Sequence, residues 1–327
     1  MTGRRARRTL LGAIGAGLIV PQLAFAQAAR KVTVLFAGEE EDDEPATRVF
    51  FDEMRRRGWA EGVNIEYERL HGRGTREYME GLARSAVSSN PDLIYASTTS
   101  IALAVVKEND SVPVVFTAAS DPVAAGLAAS LARPGGNATG AYQASGDVVQ
   151  KRLELVRQAF PHLKRIGVLL DRRSVDYARQ KTVHQDAARL TGLGLAVVEF
   201  TNYEAVAKHL ANFRRDGIAG VGLTPSVTLL ARRREVVEAA LRNRIALIAH
   251  RVEWAEAGAV LSYGADVADA LRRTAAIADR ILKGARPAVT PVQQATKFEL
   301  VVNQRSAKAL GLVVAQEVLS HADRVID

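Results

Sequence analysis

Four hydroxyl-bearing residues follow one another directly after a short apolar run. Ser97, Thr98, Thr99 and Ser100 come after the run 93–96 and open a stretch with the composition of a helix. The first N–H groups of a helix have no partner within it, and the helix dipole adds positive charge at that end. Hydroxyls beside such N–H groups suit a carboxylate. Helix capping needs a single hydroxyl, so four in a row leave both carboxylate binding and plain capping open.

Two further polar residues follow the next apolar run, 112–117. Thr117 ends that run, and Asp121 stands shortly after it, immediately before Pro122. Asp121 could face an amine on a ligand or cap the helix that Pro122 starts, and its position before a proline favours capping.

The second half of the chain offers polar residues at equivalent places. Asp171 follows an apolar run, and so does the group Thr224-Pro225-Ser226. These residues would supply acceptor and hydroxyl groups from an opposing wall of a cleft. His250 also ends an apolar run, but a lone histidine there is more typical of a structural residue than of a catalyst.

Recognised catalytic and metal-binding patterns are missing from the sequence. The six histidines include no pair at His-x-x-x-His spacing, and the chain has no cysteine. A Gly-x-Ser-x-Gly elbow and a Walker phosphate loop are also absent. We therefore expect no catalytic residue, no bound metal and no cofactor. Without cysteine we also expect no disulfide bond and no lipid attached through an N-terminal cysteine.

The first 26 residues are predicted to be an export signal. Arg4, Arg5, Arg7 and Arg8 precede an apolar stretch over 10–20, and a small-x-small triplet, Ala-Phe-Ala, ends this segment. The last two arginines precede Thr-Leu-Leu, which resembles a twin-arginine signal, although a general secretory signal fits as well. The apolar stretch is shorter than the ~20 residues that cross a bilayer, which disfavours a retained transmembrane helix. We expect the exported chain in a Gram-negative periplasm.

The net charge does not indicate a nucleic-acid partner. The formal charge is +8, and it becomes +4 when the four arginines of the predicted signal are subtracted. The other arginines are scattered, as in the run 232–234, and no aromatic residues alternate with them to stack on bases. Solvated helix surfaces explain these arginines better, so we expect no nucleic-acid partner.

From residue 31 onward, short β-branched runs alternate with helical stretches, which is the pattern of parallel sheets covered by helices on both faces. Strands are predicted at 31–37, 64–69, 93–96, 112–117, 165–170, 196–200, 220–223, 246–249 and 259–263, and a further apolar run lies over 298–302. Helices are predicted at 45–58, 75–89, 97–109, 148–160, 175–191, 203–216, 226–243 and 267–282, with two more near the carboxyl end.

The predicted fold class is therefore α/β, with two doubly wound parallel-sheet lobes joined by a hinge. Proline and glycine cluster over 133–137, and we place a crossover between the lobes there. Lobe 1 is assigned to 27–141 plus 262–289, and lobe 2 to 142–261 plus 290–327. In such sheets a ligand binds beyond the carboxyl ends of the strands, which is where the polar residues described above stand.

Two blocks of sequence carry a resemblance to a known family. The first is Ser-Leu-Ala-Arg-Pro-Gly-Gly-Asn-Ala-Thr-Gly over 130–140, preceded by Ser-Asp-Pro-Val over 120–123. The second is Pro-Val-Gln-Gln-Ala-Thr-Lys-Phe-Glu-Leu-Val-Val-Asn over 291–303, preceded by Ser-Tyr-Gly over 262–264. With these blocks the chain resembles the ABC transporter substrate-binding protein family, which includes tryptophan- and other amino-acid-type binders, over essentially all of its length after the signal.

The resemblance implies a type I periplasmic-binding-protein fold that holds a small ligand between its lobes and acts without catalysis. It also implies an ABC permease in the inner membrane and a cytoplasmic ATPase as partners in import. The ligand would be an amino acid or another small carboxylate or aromatic compound. The residues expected to bind it, on the two lobes and at the hinge, are Ser97, Thr98, Thr99, Thr117, Asp121, Asp171, Thr224 and Tyr263.

One segment departs from the family pattern. The turn after the first strand is usually short and rich in serine, glycine or proline, whereas here it holds the acidic run Glu39–Glu44. If these acids line the cleft, they favour a basic or aminated ligand. Like charges at this density usually stay solvated, and acids before a helix also suit its dipole.

Three other functions are compatible with parts of the pattern. A ligand sensor would present the same cleft to a receptor kinase, and the sequence does not separate it from a transport protein. A doubly wound transferase is disfavoured because phosphate loops and acid–base pairs are missing. A DNA-binding repressor is disfavoured because the segment before the first strand resembles an export signal and not a helix-turn-helix.

Overall fold

The computed structural model describes residues 28–37, 48–72, 76–144, 148–174 and 177–327. The predicted export signal and the acidic run Glu39–Glu44 lie outside the described residues, so both stay predictions. Within the described ranges, no helix is both long enough and apolar enough to cross a membrane.

The first lobe is a parallel sheet with helices on both faces. Its elements are β1 (Arg30–Phe36), α1 (Arg48–Arg56), β2 (Ile65–His71), α2 (Arg76–Ser88), β3 (Leu93–Ala96), α3 (Thr99–Glu108), β4 (Val114–Ala118), β5 (Ala138–Tyr142), α10 (Val267–Leu282) and β11 (Gln293–Gln294). The strands pair in parallel in the order β11-β5-β4-β3-β1-β2. Helices α1 and α10 cover one face, and α2 and α3 cover the other. Strands β3 and β4 are therefore buried along their whole length, which explains their continuous apolar sequences.

The second lobe repeats this architecture. Its elements are α4 (Val149–Ala159), β6 (Arg165–Asp171), α5 (Tyr177–Thr191), β7 (Gly194–Phe200), α6 (Tyr203–Arg215), β8 (Gly220–Leu223), α7 (Val227–Ala231), α8 (Arg233–Arg242), β9 (Ala246–Ala249), α9 (Val252–Ala257), β10 (Leu261–Ala265), β12 (Phe298–Asn303), α11 (Gln304–Ala309), α12 (Gln316–His321) and β13 (Arg324–Ile326). The strand order is β13-β12-β10-β9-β8-β6-β7, with β12 antiparallel to β10 and the other pairings parallel.

Both sheets share one topology, because the first strand of each lobe lies between its second and third. The orders β2-β1-β3-β4-β5 and β7-β6-β8-β9-β10 are equivalent. In this doubly wound order, ligands bind where the strand order reverses, at the carboxyl ends of the strands. The predicted fold class, α/β with two doubly wound lobes, is confirmed.

The chain crosses between the lobes three times: between β5 and α4, between β10 and α10, and between β11 and β12. At the second crossing Asp266 caps α10, since its carboxylate accepts hydrogen bonds from the N–H groups of Ala268 and Asp269 at 2.8 and 3.2 Å. The second and third crossings differ by a few residues from the boundaries at 262 and 290 expected from the sequence. The reason is that β10 pairs with β9 and stays in the second sheet, whereas β11 pairs with β5 in the first.

Two elements of the second lobe differ from the sequence prediction. The helix expected over 226–243 is interrupted at Arg232, whose backbone leaves the helical region, so that α7 and α8 are separate. Helix α9 was not predicted, because a segment of six residues is too short to show helical periodicity. Gly258 ends α9 with a φ of 124°, a conformation that favours glycine.

Candidate functional site

A cavity of about 420 Å³ lies between the two lobes, and much of its lining comes from the carboxyl ends of their strands. This volume is within the usual range for a small-molecule site. The polar lining residues of the first lobe and of the crossing after it are Glu80, Ser97, Thr98, Thr99, Ser100, Lys107, Thr117, Ser120 and Gln143. The polar lining residues of the second lobe include Asp171, Arg172, Arg173, Ser174, Ser226, Thr228, His250 and Arg251.

The amino end of α3 forms one wall of the cavity. Thr98 is the N-cap of this ten-residue helix, and its hydroxyl accepts a hydrogen bond from the N–H of Ile101 at 3.3 Å. The N–H groups of Thr99 and Ser100 occupy the first two helical positions, where no partner within the helix exists. This wall therefore combines backbone donors, hydroxyls and the positive end of a helix dipole, a combination that favours an anion.

Asp171, at the end of β6, supplies a carboxylate on the opposite wall. It is almost fully buried, and it accepts hydrogen bonds from the Ser226 hydroxyl at 2.7 Å and from the N–H of Arg173 at 3.0 Å. The guanidinium of Arg173 lies 3.6 Å from the same carboxylate and donates to the Thr228 hydroxyl. These contacts hold the Asp171 carboxylate in place while it retains lone pairs for a further donor.

Three side chains that line the cavity carry buried polar atoms without a hydrogen-bond partner in the described part of the chain. They are Gln143 Oε1, His250 Nδ1 and Trp254 Nε1. The side chains are deeply placed, with exposed fractions of 4 % for Gln143, 5 % for His250 and 1 % for Trp254. An unsatisfied buried polar atom costs roughly 1–3 kcal/mol, so three of them at one cavity point to a bound molecule that supplies the missing partners.

His250 is held as a neutral imidazole. Its pKa lies well below the ordinary histidine value because burial penalises the charged form and because the cations of Arg152 and Arg251 are close to it. The ring also hydrogen-bonds the backbone of Leu223, and since Nδ1 has no partner, Nε2 makes this bond. Nε2 therefore carries the proton, and Nδ1 presents a lone pair as an acceptor.

A buried ion pair positions Trp254. Arg251, at the start of α9, donates to both carboxylate oxygens of Glu253 at 2.8 and 3.2 Å. Burial alone would raise the pKa of Glu253, but the Arg251 guanidinium lowers it, so the carboxylate stays charged. The pair fixes the first turn of α9, and Trp254 packs from that turn into the core of the second lobe.

Arg152 links this region to the crossing between β10 and α10. Its Nε donates to the carbonyl oxygen of Tyr263 at 2.9 Å, and its Nη2 has no partner among the described residues. Complete burial lowers the pKa of Arg152 to about 10. Helix α4 is thereby tied to β10 beside two of the three segments that connect the lobes.

Five of the eight predicted site residues line the cavity, namely Ser97, Thr98, Thr99, Thr117 and Asp171. The hydroxyl of Thr117 also contacts the hydroxyls of Tyr95 at 3.1 Å and Thr274 at 2.8 Å. The hydroxyl of Thr99 accepts from the N–H of Ser120 at 3.5 Å, which joins the ends of β3 and β4.

The other three predicted residues, Asp121, Thr224 and Tyr263, lie outside the cavity lining. Asp121 caps a turn by accepting from the N–H groups at positions 123 and 124, and it also faces Arg179 of the second lobe. The Thr224 hydroxyl turns back to donate to the carbonyl oxygen of Leu169 at 2.9 Å. The Tyr263 ring stacks on Phe298 at a centroid distance of 6.3 Å, beside the crossings.

The sequence reasoning missed Gln143, Arg173 and Trp254. Gln143 and Arg173 each stand within two residues of a strand end, so the rule that selected Asp171 could also have found them. Trp254 lies on the unpredicted helix α9, and no sequence signal placed it at the cleft. Among the described residues, no group of three or more histidine, cysteine, aspartate or glutamate side chains is arranged to hold a metal ion.

Comparison with known proteins places this architecture among solute-binding proteins. A profile of the family described as "ABC transporter substrate binding protein" matches residues 32–326. A tyrosine-binding protein from Clostridioides difficile is 28% identical over 276 residues, which cover 82% of this chain and 76% of that protein.

Solved structures share the fold. A conserved domain protein from Vibrio cholerae superposes with a TM-score of 0.83 and 26% identity, covering 91% of this chain and 99% of that one. A domain from Streptococcus pneumoniae in complex with L-Trp superposes with a TM-score of 0.82 and 21% identity, covering 91% of this chain and all 100% of that one.

Proposed function

We propose that this chain, which belongs to the ABC transporter substrate-binding protein family, delivers an aromatic amino acid to an importer. It is the solute-binding component of such a transporter. The tyrosine-binding relative and the neighbour in complex with L-Trp support this class of ligand. Partners of the loaded protein would be a permease in the inner membrane and its ATPase.

The observation that carries the proposal is that the cavity has an anion-binding helix end on one wall and a buried carboxylate on the other. The amino end of α3 presents donors and positive potential from the first lobe, and Asp171 presents a carboxylate from the second. A zwitterionic amino acid matches both, with its α-carboxylate at Thr99 and Ser100 and its ammonium at Asp171. The ammonium has three N–H donors, so Gln143 Oε1 can accept from it as well.

The rest of the lining suits an aromatic side chain. Trp254, Met79, Leu103 and Leu230 contribute apolar surface to the cavity. An aromatic ring of 150–250 Å² would gain about 25 cal/mol for each Å² of apolar surface that leaves water. The volume of about 420 Å³ accommodates a molecule of this size.

Binding would act by stabilising the closed arrangement of the lobes. Because the two charged ends of the ligand contact different lobes, the ligand binds tightly when the lobes are together and weakly when they are apart. A permease that recognises the closed arrangement then receives the loaded protein and not the empty one. The predicted export signal over 1–26 is consistent with this role in the periplasm.

A ligand screen on the purified chain from residue 27 onward tests the proposal. Thermal shifts would be measured with the twenty L-amino acids, their D-enantiomers and small aromatic acids, and isothermal titration calorimetry would follow for those that act. A ligand at 100 times its dissociation constant adds about 2.7 kcal/mol to stability, which a melting curve resolves. We expect aromatic L-amino acids to act and to be recovered unchanged. A melting temperature that no amino acid moves would refute the proposal, and conversion of the ligand would support an enzyme instead.

A further inference from the structure

Unpaired polar atoms of residues that line the cavity indicate which ligand side chain it accepts. This inference rests on the proposed function, which assigns the charged ends of an amino acid to α3 and Asp171. Two unpaired atoms, Trp254 Nε1 and His250 Nδ1, are not used by those charged ends. They stand four residues apart in the segment that joins β9 to α9.

The two atoms differ in chemistry. The indole Nε1 of Trp254 can only donate. The Nδ1 of His250 can only accept, because Nε2 holds the ring proton in its bond to the Leu223 backbone and the ring is neutral. A group that accepts one hydrogen bond and donates another satisfies both atoms. A hydroxyl is the smallest group that does so.

The other tryptophan of the chain, Trp59, provides a comparison, because its indole N–H has a hydrogen-bond partner within the protein. Trp59 donates from Nε1 to the carboxylate of Asp279 at 2.9 Å. Trp254 is buried more completely than Trp59, which is only partly buried, yet its N–H has no acceptor among the described residues. A buried donor that stays unpaired destabilises the ligand-free protein, so its retention at the cavity is explained by use in the bound state.

We propose that Trp254 and His250 form a specificity pair that selects a ligand whose aromatic side chain ends in a hydroxyl. The ligand oxygen accepts from the Trp254 indole N–H, and its O–H donates to His250 Nδ1. A phenyl ring of the same size leaves both protein atoms buried and unpaired. A site built to hydrogen-bond a hydroxyl rejects the analogue that lacks it far more strongly than an apolar pocket rejects a difference of one methylene.

Titration calorimetry with three related ligands and two variants tests whether Trp254 and His250 select a hydroxyl. The ligands are L-tyrosine, L-phenylalanine and 4-fluoro-L-phenylalanine, and the variants are Trp254→Phe and the matched control Trp59→Phe. We expect the unmodified protein to bind L-tyrosine at least 10-fold more tightly than L-phenylalanine. Trp254→Phe should reduce that ratio about 10-fold by weakening L-tyrosine alone, because a neutral buried hydrogen bond of this kind contributes roughly that much.

The control variant separates loss of a contact with the ligand from loss of structure. Trp59→Phe loses its bond to Asp279, so it should lower the melting temperature of the ligand-free protein while leaving the tyrosine-to-phenylalanine ratio unchanged. Trp254→Phe loses no hydrogen bond in the ligand-free protein, but it leaves a cavity in the core of the second lobe and should also lower the melting temperature. The tyrosine-to-phenylalanine ratio is therefore the measurement that distinguishes the two variants. If Trp254→Phe does not fold, the three ligands still decide the matter on the unmodified protein.

Several outcomes would overturn the pair and leave the proposed function intact. They are equal affinity for L-tyrosine and L-phenylalanine, binding of 4-fluoro-L-phenylalanine as tight as that of L-tyrosine, and an equal loss for both natural ligands in Trp254→Phe. Failure of every amino acid to bind would instead refute the proposed function.

Discussion

The carboxylate of Asp121 in the first lobe lies 3.5 Å from the guanidinium of Arg179 on α5 of the second lobe. Both side chains are partly exposed, and Asp121 Oδ1 is engaged by the turn that it caps. Because the two residues belong to different lobes, this contact exists only while the lobes are close together. The pair therefore contributes to the equilibrium between open and closed arrangements.

Arg179→Gln should weaken ligand binding by about 2- to 5-fold, since a partly exposed ion pair contributes at most about 1 kcal/mol. The difference from the unmodified protein should disappear in 1 M NaCl, where salt screens the pair. Titration calorimetry at low and high salt measures both quantities. The matched control is Arg189→Gln, which removes an ion pair with Asp186 within α5. An equal change in both variants would show that contact between the lobes is not the cause.

Asp171→Asn should weaken the binding of a free amino acid by 10-fold or more, because a charge-assisted bond to the ligand ammonium becomes a neutral one. The amide keeps a side chain of nearly the same shape beside Ser226 and Arg173. An N-acetylated amino acid lacks the ammonium, so its affinity should not fall further in the variant. Calorimetry with both ligands measures this, with Asp186→Asn as an exposed control in the same lobe. A similar loss for both ligands would contradict the assignment of Asp171 to the ammonium.

His250 should make the protein less stable as the pH falls below about 6.5. Its pKa is lower in the folded chain because of burial and the charges of Arg152, Arg251 and His184 around it. The unfolded chain, with an ordinary histidine pKa near 6.5, therefore binds the proton first. The free energy of unfolding then falls by up to about 1.4 kcal/mol per pH unit between pH 6.5 and the folded pKa, and this contribution is fully present above pH 6.5.

His250→Gln removes this proton uptake while its amide can still donate to Leu223. Urea unfolding at pH 7.5, 6.5 and 5.5 should show a smaller loss of stability on acidification than in the unmodified protein. The matched control is His162→Gln, at an exposed position of the same lobe. Parallel stability curves for His250→Gln and the unmodified protein would contradict a buried neutral His250.

One topological rule accounts for the site residues that the sequence could predict. Ser97, Thr99, Thr117 and Asp171 were found because alternating strands and helices place strand ends at a ligand cleft. Thr224 obeys the same rule, yet its hydroxyl returns to the carbonyl oxygen of Leu169. The direction of a side chain at a strand end depends on local backbone geometry, and the pattern of residue types does not determine it.

The rule that strand ends lie at a ligand cleft does not predict Trp254 as a site residue. This tryptophan stands on a six-residue helix that the buried ion pair of Arg251 and Glu253 fixes through tertiary contacts. That its indole N–H has no partner among the described residues is visible only in the folded structure and not in the sequence. His250 was interpreted from sequence as a structural residue. Its buried ring and its bond to Leu223 agree with that, whereas its place in the cavity lining gives it a second role that the sequence did not indicate.

The Ser-Tyr-Gly segment of β10 ends in glycine because the backbone of His250 lies very close to Gly264. A Cβ at this position would lie 1.9 Å from the carbonyl oxygen of His250, a distance at which the two backbones could not stay in place. Gly264→Ala should therefore cost more than 4 kcal/mol or prevent folding, because moving β10 also displaces His250. Gly222→Ala, in β8 of the same sheet, is the matched control: its Cβ would meet the Val168 side chain at 3.5 Å, an ordinary contact. Urea midpoints measure the difference, and similar midpoints for the two variants would refute the close approach of β10 to His250.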